Sequence, residues 1–369
     1  MALLCHCSRT HSAPTAALAF GPRYAQKNNT FVLRDRDRGR WRRRGVCAAS
    51  SGDGGTRRPP PLRLTYLEGN SWLWEVSGTR VAVDPILVGN LDFGIPWLYD
   101  AAKKTLKNFR LEDLQELDCL LITQSLDDHC HMKTLKPLSK IYPDLCVVST
   151  PNAEPILKDL FDEVIYIEPG QSTRLRGKNG SEIDIRASAG PILGPPWQRP
   201  ENGTISKVSL ADITGQRHIF EVFAVQSTRE ASRLTFLKLG YFIEAHDPKF
   251  ILYYEPHCVY NKSLLEGQHA DVIITPVIKQ LLPAFTLVSG QEDAVELARL
   301  LNARFIVPMN NGDLESKGIL SSILYTDGTM ESFKALLSKA LLDVQVLEPT
   351  PGLPLEVPIR SGQGSLASI

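Results

Sequence analysis

Residues 121–131 bring together the side chains of this sequence that are best able to bind a metal or move a proton. They read LITQSLDDHCH, so an apolar run is followed by two acids, Asp127 and Asp128, and by two histidines, His129 and His131. Aspartate and neutral histidine are usual ligands of zinc and iron. The simpler interpretation is a helix N-terminus, which an aspartate caps. Capping accounts for one acid but for neither histidine, because the positive end of a helix does not favour a histidine.

The elements on either side of this stretch would position it. Residues 117–123 are nearly all apolar, which is typical of a strand covered on both faces, and a helix is expected over about 131–141. Ligands of α/β folds bind at the carboxyl ends of strands. The acids and histidines therefore stand where a site is expected.

The rest of the chain predicts an α/β fold with two similar halves. Residues 62–84 alternate as three short strands, and later strands near 250–254, 272–275 and 304–308 are interspersed with helical periodicity. The pattern also favours a surface helix over 96–109. Because a sheet buries its apolar faces against another sheet or under helices, we predict a four-layer αββα sandwich.

Composition divides the chain into successive parts. Residues 1–49 are interpreted as a targeting segment, 50–61 as a disordered linker of Ser, Gly, Arg and Pro, and 62–348 as one domain. Residues 349–369 are expected to form an irregular tail. Within the domain, 210–248 is interpreted as an atypical insertion, because so long a connection is unusual in a compact domain.

The targeting interpretation rests on charge. Residues 1–49 contain ten basic and two acidic side chains, a net charge of +8, and many small and hydroxyl residues near the start. Abundant arginine with few acids is typical of a transit peptide, and we expect a chloroplast (plastid stroma) address, with the mitochondrion as the alternative. An arginine-rich arm that binds nucleic acid is the other interpretation.

The net charge of zero for the whole chain combines a basic N-terminal segment with an acidic remainder. Since the whole chain has 41 basic and 41 acidic side chains, the part after residue 49 carries −8, which argues against a nucleic-acid partner. No apolar run is long enough for a transmembrane segment. Four cysteines remain in the body without C-x-x-C spacing, and they are expected to be reduced thiols: Cys119, Cys130, Cys146 and Cys258.

Residues 123–129 resemble the signature of the metallo-β-lactamase superfamily, a strand followed by Thr-His-x-His-x-Asp-His and a helix. Asp128 and His129 match the end of that signature. Gln124 and Leu126 stand where its first two histidines would be. Asp-Pro after the opening strands is similar to the lactonase-like and phospholipase-D-like branch. The resemblance implies the metallo-β-lactamase fold over most of the chain after the linker.

The resemblance also implies where further ligands would stand. Residues 188–190 read Ser-Ala-Gly in place of the next histidine, and Asn310 lies in place of the last one. Glu255 would replace the bridging aspartate, and His257 could add a nitrogen. The histidines of the first metal are missing, so zinc or another divalent ion is expected at one site at most. Its implied ligands are Asp128, His129 and Glu255, completed by His257 or His131.

The resemblance implies a hydrolase that uses metal-activated water on a small-molecule ester, lactone or phosphodiester. Asp128 and His129 would be its catalytic residues, with the substrate bound by Gln124, Trp197, Arg199 and Asn310. The prolines of the loop around Trp197 are more consistent with a structural connector, whereas Trp197 and Arg199 themselves are interpreted as functional. Two alternatives stay open: a non-catalytic protein that binds a small ligand or a partner, and a metal-free hydrolase with Asp128 and His129 as a general-base pair. The oligomeric state is left open.

Overall fold

The computed structural model describes residues 60–114, 116–192, 207–211, 217–221, 237–283, 285–309, 314–340 and 343–359. None of the helices within these ranges is long and apolar enough to cross a bilayer.

The strands follow one another along the chain as β1 Leu62–Tyr66, β2 Trp72–Val76, β3 Thr79–Val83, β4 Asp100–Ala102, β5 Cys119–Ile122, β6 Cys146–Ser149, β7 Val164–Tyr166, β8 Ser172–Arg176, β9 Glu182–Ile192, β10 Lys207–Ala211, β11 Arg217–Glu221, β12 Leu237–His246, β13 Lys249–Tyr254, β14 Val272–Pro276, β15 Lys279–Leu282, β16 Phe285–Val288, β17 Phe305–Met309, β18 Glu315–Lys317, β19 Tyr325–Asp327, β20 Gln345–Val346 and β21 Pro354–Glu356. The α-helices are α1 Met132–Ile141, α2 Glu154–Leu157, α3 Lys262–Leu265, α4 Glu292–Leu300, α5 Ile319–Ile323 and α6 Met330–Ala340. Short 3₁₀ turns occupy Leu111–Leu114 and Pro151–Ala153.

Two seven-stranded sheets form the centre of the fold. The first has the order β21-β1-β2-β3-β5-β6-β7, and the second has the order β20-β17-β14-β13-β12-β9-β8. In the first sheet the opening meander β1-β2-β3 is antiparallel, and β3, β5, β6 and β7 are then parallel. Parallel neighbours need crossovers, and α1 supplies the one between β5 and β6. The carboxyl end of β5 thus opens directly into the loop that precedes α1.

Three apolar clusters separate four layers. Between the sheets, the ring of Trp74 lies 5.2 Å from that of Tyr254 in an edge-on contact. Leu138 of α1 packs on the outer face of the first sheet. Leu297 of α4 and Phe333 of α6 pack on the outer face of the second. The predicted αββα sandwich is therefore confirmed.

The prediction of a helix over 96–109 is wrong. The amides of Leu98 and Tyr99 both donate to the Ile95 carbonyl in a single turn, and the chain then enters β4. β4 pairs with β18, which is distant in sequence. The backbone N–H and C=O groups of β4 therefore form hydrogen bonds between strands and not within a helix. Apolar periodicity alone does not report such a partner.

Two predicted boundaries also need correction. Residues 237–246, expected to belong to an insertion over 210–248, form β12, which lies between β9 and β13 as a central strand of the second sheet. The tail expected to be irregular contains β21, which pairs with β1 and covers an edge of the first sheet. In both places, pairing with strands far away in sequence sets the structure, so local composition does not reveal it.

Candidate metal centre

The loop between β5 and α1 turns sharply at Leu126. Its carbonyl accepts hydrogen bonds from the amides of His129 and Cys130, at 2.9 and 2.6 Å. This tight turn carries the side chain of His129 to full burial and leaves Asp128 partly exposed. Asp127 lies on the other side of the turn, where its carboxylate accepts from the Met132 amide at the start of α1.

A buried carboxylate orients the His129 ring. His129 Nδ1 lies 2.7 Å from Asp84 Oδ2 and 3.0 Å from Thr123 Oγ1. Asp84 follows β3, and its oxygens also accept from the Thr123 amide at 2.8 Å and hydroxyl at 2.6 Å. Hydrogen bonding at Nδ1 fixes the tautomer, so Nε2 is the nitrogen that faces the site.

His257 completes a group of three potential ligands. Asp128 Oδ2 lies 3.4 Å from His129 Nε2 and 3.9 Å from His257 Nε2. One ligand atom from each of the three residues lies within 4.8 Å of the other two, and in the described part of the chain this is the one group of its kind. The two imidazoles stack with ring centroids 5.1 Å apart. A site is thereby assembled across the two sheets, because His257 follows β13.

The Asn70 amide closes the site from the turn between β1 and β2. Asn70 Nδ2 lies 3.1 Å from the Asp128 carbonyl oxygen and 3.2 Å from His129 Nε2. The hydroxyl of Tyr254 donates to the Asn70 backbone carbonyl at 3.1 Å and holds this turn in place. The Asn70 amide can donate to Nε2 only when the His129 ring is neutral, because Nε2 then carries a lone pair.

Electrostatics favour a positive charge at this ring. Burial in itself lowers the pKa of His129, but the charges of Asp128 and Asp84 outweigh it and raise that pKa to about 9. The desolvated carboxylates therefore attract a cation, whether a proton or a metal ion, to the position next to Nε2. A proton, a hydrogen bond from the Asn70 amide and a metal ion would therefore compete for the lone pair of His129 Nε2.

Comparison with known proteins decides the family. Residues 63–310 match the β-lactamase superfamily domain. The chain belongs to the metallo-β-lactamase superfamily. Among solved structures, an isothiocyanate hydrolase from gut bacteria of Delia radicum shares 14% identity with a TM-score of 0.50, over 79% of this chain and 98% of that one. A metallo-hydrolase from Ignicoccus hospitalis shares 16% identity with a TM-score of 0.47, over 80% and 99%. No curated protein matches the chain.

Glu255, expected as a ligand from the superfamily pattern, is placed elsewhere. It is buried, but it does not join the group within 4.8 Å, and His257 stands there instead. Glu255 Oε2 accepts from the Tyr253 hydroxyl at 3.1 Å, and that hydroxyl lies 3.2 Å from Ser188 Oγ. The carboxylate thus faces β9 and β12. A Cβ on Gly240 of β12 would lie 2.8 Å from Glu255 Oε2, so the glycine leaves room for it.

His131, the other expected substitute ligand, also lies outside the group. Its Nδ1 lies 2.9 Å from Thr134 Oγ1 within the first turn of α1. Burial lowers the pKa of His131, and the nearby Asp127 opposes that shift. His131 therefore forms part of the N-terminus of α1.

The positions of the superfamily's first metal hold no metal ligands. Gln124 is 6% exposed, and its Nε2 has no partner among the described residues. Leu126, expected to point its apolar side chain into the site, is 45% exposed instead, because it occupies the outside of the turn. Ser188 hydrogen-bonds Tyr253. The expected substrate-binding residues Trp197, Arg199 and Asn310 lie outside the described residues.

Sequence reasoning missed two residues of the site. Asp84 could have been found, since an acid at the end of β3 lies next to β5 in a parallel pair and therefore near the Asp-His loop. Asn70 carries no such signal, because it lies in an ordinary polar turn of the opening meander.

Proposed function

We propose that this protein is a hydrolase that works with one divalent cation, held by Asp128, His129 and His257. The observation that carries the proposal is the convergence of these ligand atoms within 4.8 Å around a histidine that Asp84 orients. Membership of a hydrolase family supports hydrolysis as the reaction.

The donor set fits such an ion. Two imidazole nitrogens and one carboxylate oxygen, with the remaining position open, are the ligands of a catalytic zinc site. An ion bound there supplies Lewis acidity toward a carbonyl or phosphoryl oxygen and activates water. A proposed zinc site also agrees with the buried pair of Asp84 and His129, since metal-ligating histidines usually donate their other nitrogen to a carboxylate.

The chain's own residues provide orientation. Asp84 holds the proton of His129 on Nδ1, and Asn70 positions Asp128 through its carbonyl. Gln124 Nε2 is a buried donor with no partner among the described residues. We assign this amide to an oxygen of the substrate, because an unpaired buried donor costs about 1–3 kcal/mol and a bound acceptor removes that cost.

The proposed substrates are small esters, lactones or phosphodiesters. With zinc added, the full chain should hydrolyse p-nitrophenyl acetate, a γ-lactone or bis-p-nitrophenyl phosphate, and a chelator should stop it. His129→Ala should remove the activity. His246→Ala is the matched control, because that histidine is exposed and lies beside Asp184. Absence of turnover in all three classes by the zinc-loaded protein would contradict a hydrolase of this kind.

One observation favours a second candidate, a protein that binds a small ligand without catalysis. Asn70 Nδ2 already approaches His129 Nε2 at 3.2 Å, which satisfies the ring without a metal. Substrate analogues would then bind equally well with and without chelator. For either function, the composition of residues 1–49 supports our proposal of a plastid address.

A further inference from the structure

Exposed apolar side chains lie on the turn that carries Asp128 and on the loop that Asp92 ties to the start of α1. Phe93, Ile95 and Trp97 lie on one loop and are 42%, 37% and 58% exposed, and Leu126 on the Asp-His turn is 45% exposed. We call these four residues the apolar rim. Single exposed apolar residues are ordinary, but several on adjoining loops usually mark a contact surface.

The loop of the rim is held in a fixed shape. Asp92, which precedes it, pairs with Lys133 of α1 at 2.5 Å and accepts from the Gly94 amide at 3.0 Å. The Ile95 carbonyl accepts from the amides of Leu98 and Tyr99, at 2.9 and 3.1 Å. The Asp92–Lys133 pair ties this loop to the helix that begins directly after the metal-centre turn.

Contacts of Tyr99 connect the rim with the metal centre. Its ring lies 5.8 Å from that of Phe93, centroid to centroid. Burial and then the charge of Asp128 raise the pKa of Tyr99, so this phenol lies within the field of a proposed ligand. On the other side, Leu126 is two residues from Asp128 and accepts the hydrogen bonds of its turn.

The geometry points to an amphiphilic substrate, whose polar scissile group lies at Asp128, His129 and His257 and whose acyl or alkyl chain covers the apolar rim. This assignment rests on the proposed function for the scissile group. The hydrocarbon part of the substrate is inferred from the apolar surface area that it would bury. A flexible hydrocarbon on Trp97 and Phe93 removes apolar surface of both partners from water. A wholly polar substrate would leave that surface exposed.

Binding of neutral acyl amides tests the assignment without requiring metal or turnover. Butanamide, hexanamide and octanamide would be titrated into the full chain by ligand-observed NMR. Affinity should rise about two- to fourfold for each added methylene. Trp97→Ala should weaken octanamide binding about tenfold and flatten the dependence on chain length. Ile141→Ala is the matched control, since Ile141 is 44% exposed at the far end of α1, about 15 Å along the helix.

The outcomes separate this inference from the proposed function. Failure of hydrolysis or of metal binding leaves the amide titration unaffected, because amides of this series need neither. Affinity that does not change with chain length, or an equal loss in Trp97→Ala and Ile141→Ala, overturns the assignment. Sedimentation with phosphatidylcholine vesicles that depends on Trp97, without binding of soluble amides, overturns it in favour of a membrane-facing rim.

Discussion

His129 Nδ1 lies 2.7 Å from Asp84 Oδ2, and both side chains are completely buried. The two residues follow neighbouring parallel strands, β3 and β5, so the sheet itself sets their contact. A carboxylate from one strand end thereby orients the proposed metal ligand at the next. Desolvation raises the pKa of Asp84, and the charge of His129 opposes that shift. Removal of either partner would therefore leave a buried group without compensation for its desolvation.

Asp84→Asn should weaken zinc binding about 10- to 100-fold, as loss of a carboxylate behind a histidine ligand does elsewhere. The amide keeps the size of the side chain but not its charge, so the His129 ring is held less firmly and is less basic. Competition with a chromogenic chelator measures the affinity. Asp92→Asn is the control, because Asp92 pairs with Lys133. Equal affinities of the two variants would contradict an orienting role for Asp84.

Asp128→Asn and Asp127→Asn should have different effects, although the two residues are adjacent. Asp128 belongs to the ligand group, so its amide variant should lose metal binding. Asp127 serves the start of α1, and its amide variant should keep metal and lose about 1 kcal/mol or less of stability. Metal titration and urea unfolding of both variants measure this. A similar loss of metal in both would show that the assignment of the two acids is wrong.

Acid should remove a small part of the stability through Asp184. Burial raises the pKa of this carboxyl, but the paired Arg174 and the nearby His246 outweigh it and lower the pKa. A depressed pKa contributes stability above the unfolded value of about 3.9 and loses it as pH falls through the folded value. Because Arg174 is nearly half exposed, the contribution should stay below about 1 kcal/mol. Urea unfolding should show Asp184→Asn as less stable than the wild type at pH 7 and equally stable near pH 2; a constant difference would exclude this linkage.

A reporter fused behind residues 1–60 should enter plastids. The reason is the net charge of +8 over residues 1–49, with only two acids. Fluorescence microscopy of plant cells measures the location, and a fusion behind residues 62–120 is the control. Cytosolic fluorescence from the first fusion would contradict the targeting prediction. Mitochondrial fluorescence would support the alternative, import into the mitochondrion.

The sequence predicted well the two elements that flank the loop of Asp128 and His129. Residues 117–123 and 131–141 correspond closely to β5 (Cys119–Ile122) and α1 (Met132–Ile141), because a buried apolar run and an amphipathic helix are local patterns. The polar loop between them could therefore be located as a candidate site. Asp128 and His129 lie within that loop, one peptide bond apart.

For the other side of the proposed site, the resemblance implied Glu255 as a ligand and left His257 and His131 as alternatives to complete the set. His257 reaches the group only through the turn after β13, where the Cys258 amide donates to the Glu255 carbonyl at 3.4 Å. That turn directs Glu255 toward Tyr253 and His257 toward Asp128, and Cys258 adopts a φ of 54° there. Whether a side chain after a strand faces one way or the other depends on this backbone geometry, which residue types alone do not specify.

The metal content of the purified full chain tests the central claim most directly. After incubation with zinc and removal of excess ion, elemental analysis should find one equivalent of zinc in the wild type. The Glu255→Gln variant should also contain one equivalent, because the Glu255 carboxylate hydrogen-bonds Tyr253 and is not a ligand in the proposed centre. His257→Ala should contain almost none, because a third ligand is lost. Circular dichroism confirms that each variant is folded. One equivalent that survives in His257→Ala but disappears in Glu255→Gln would contradict the proposed centre, as would a wild type that binds none.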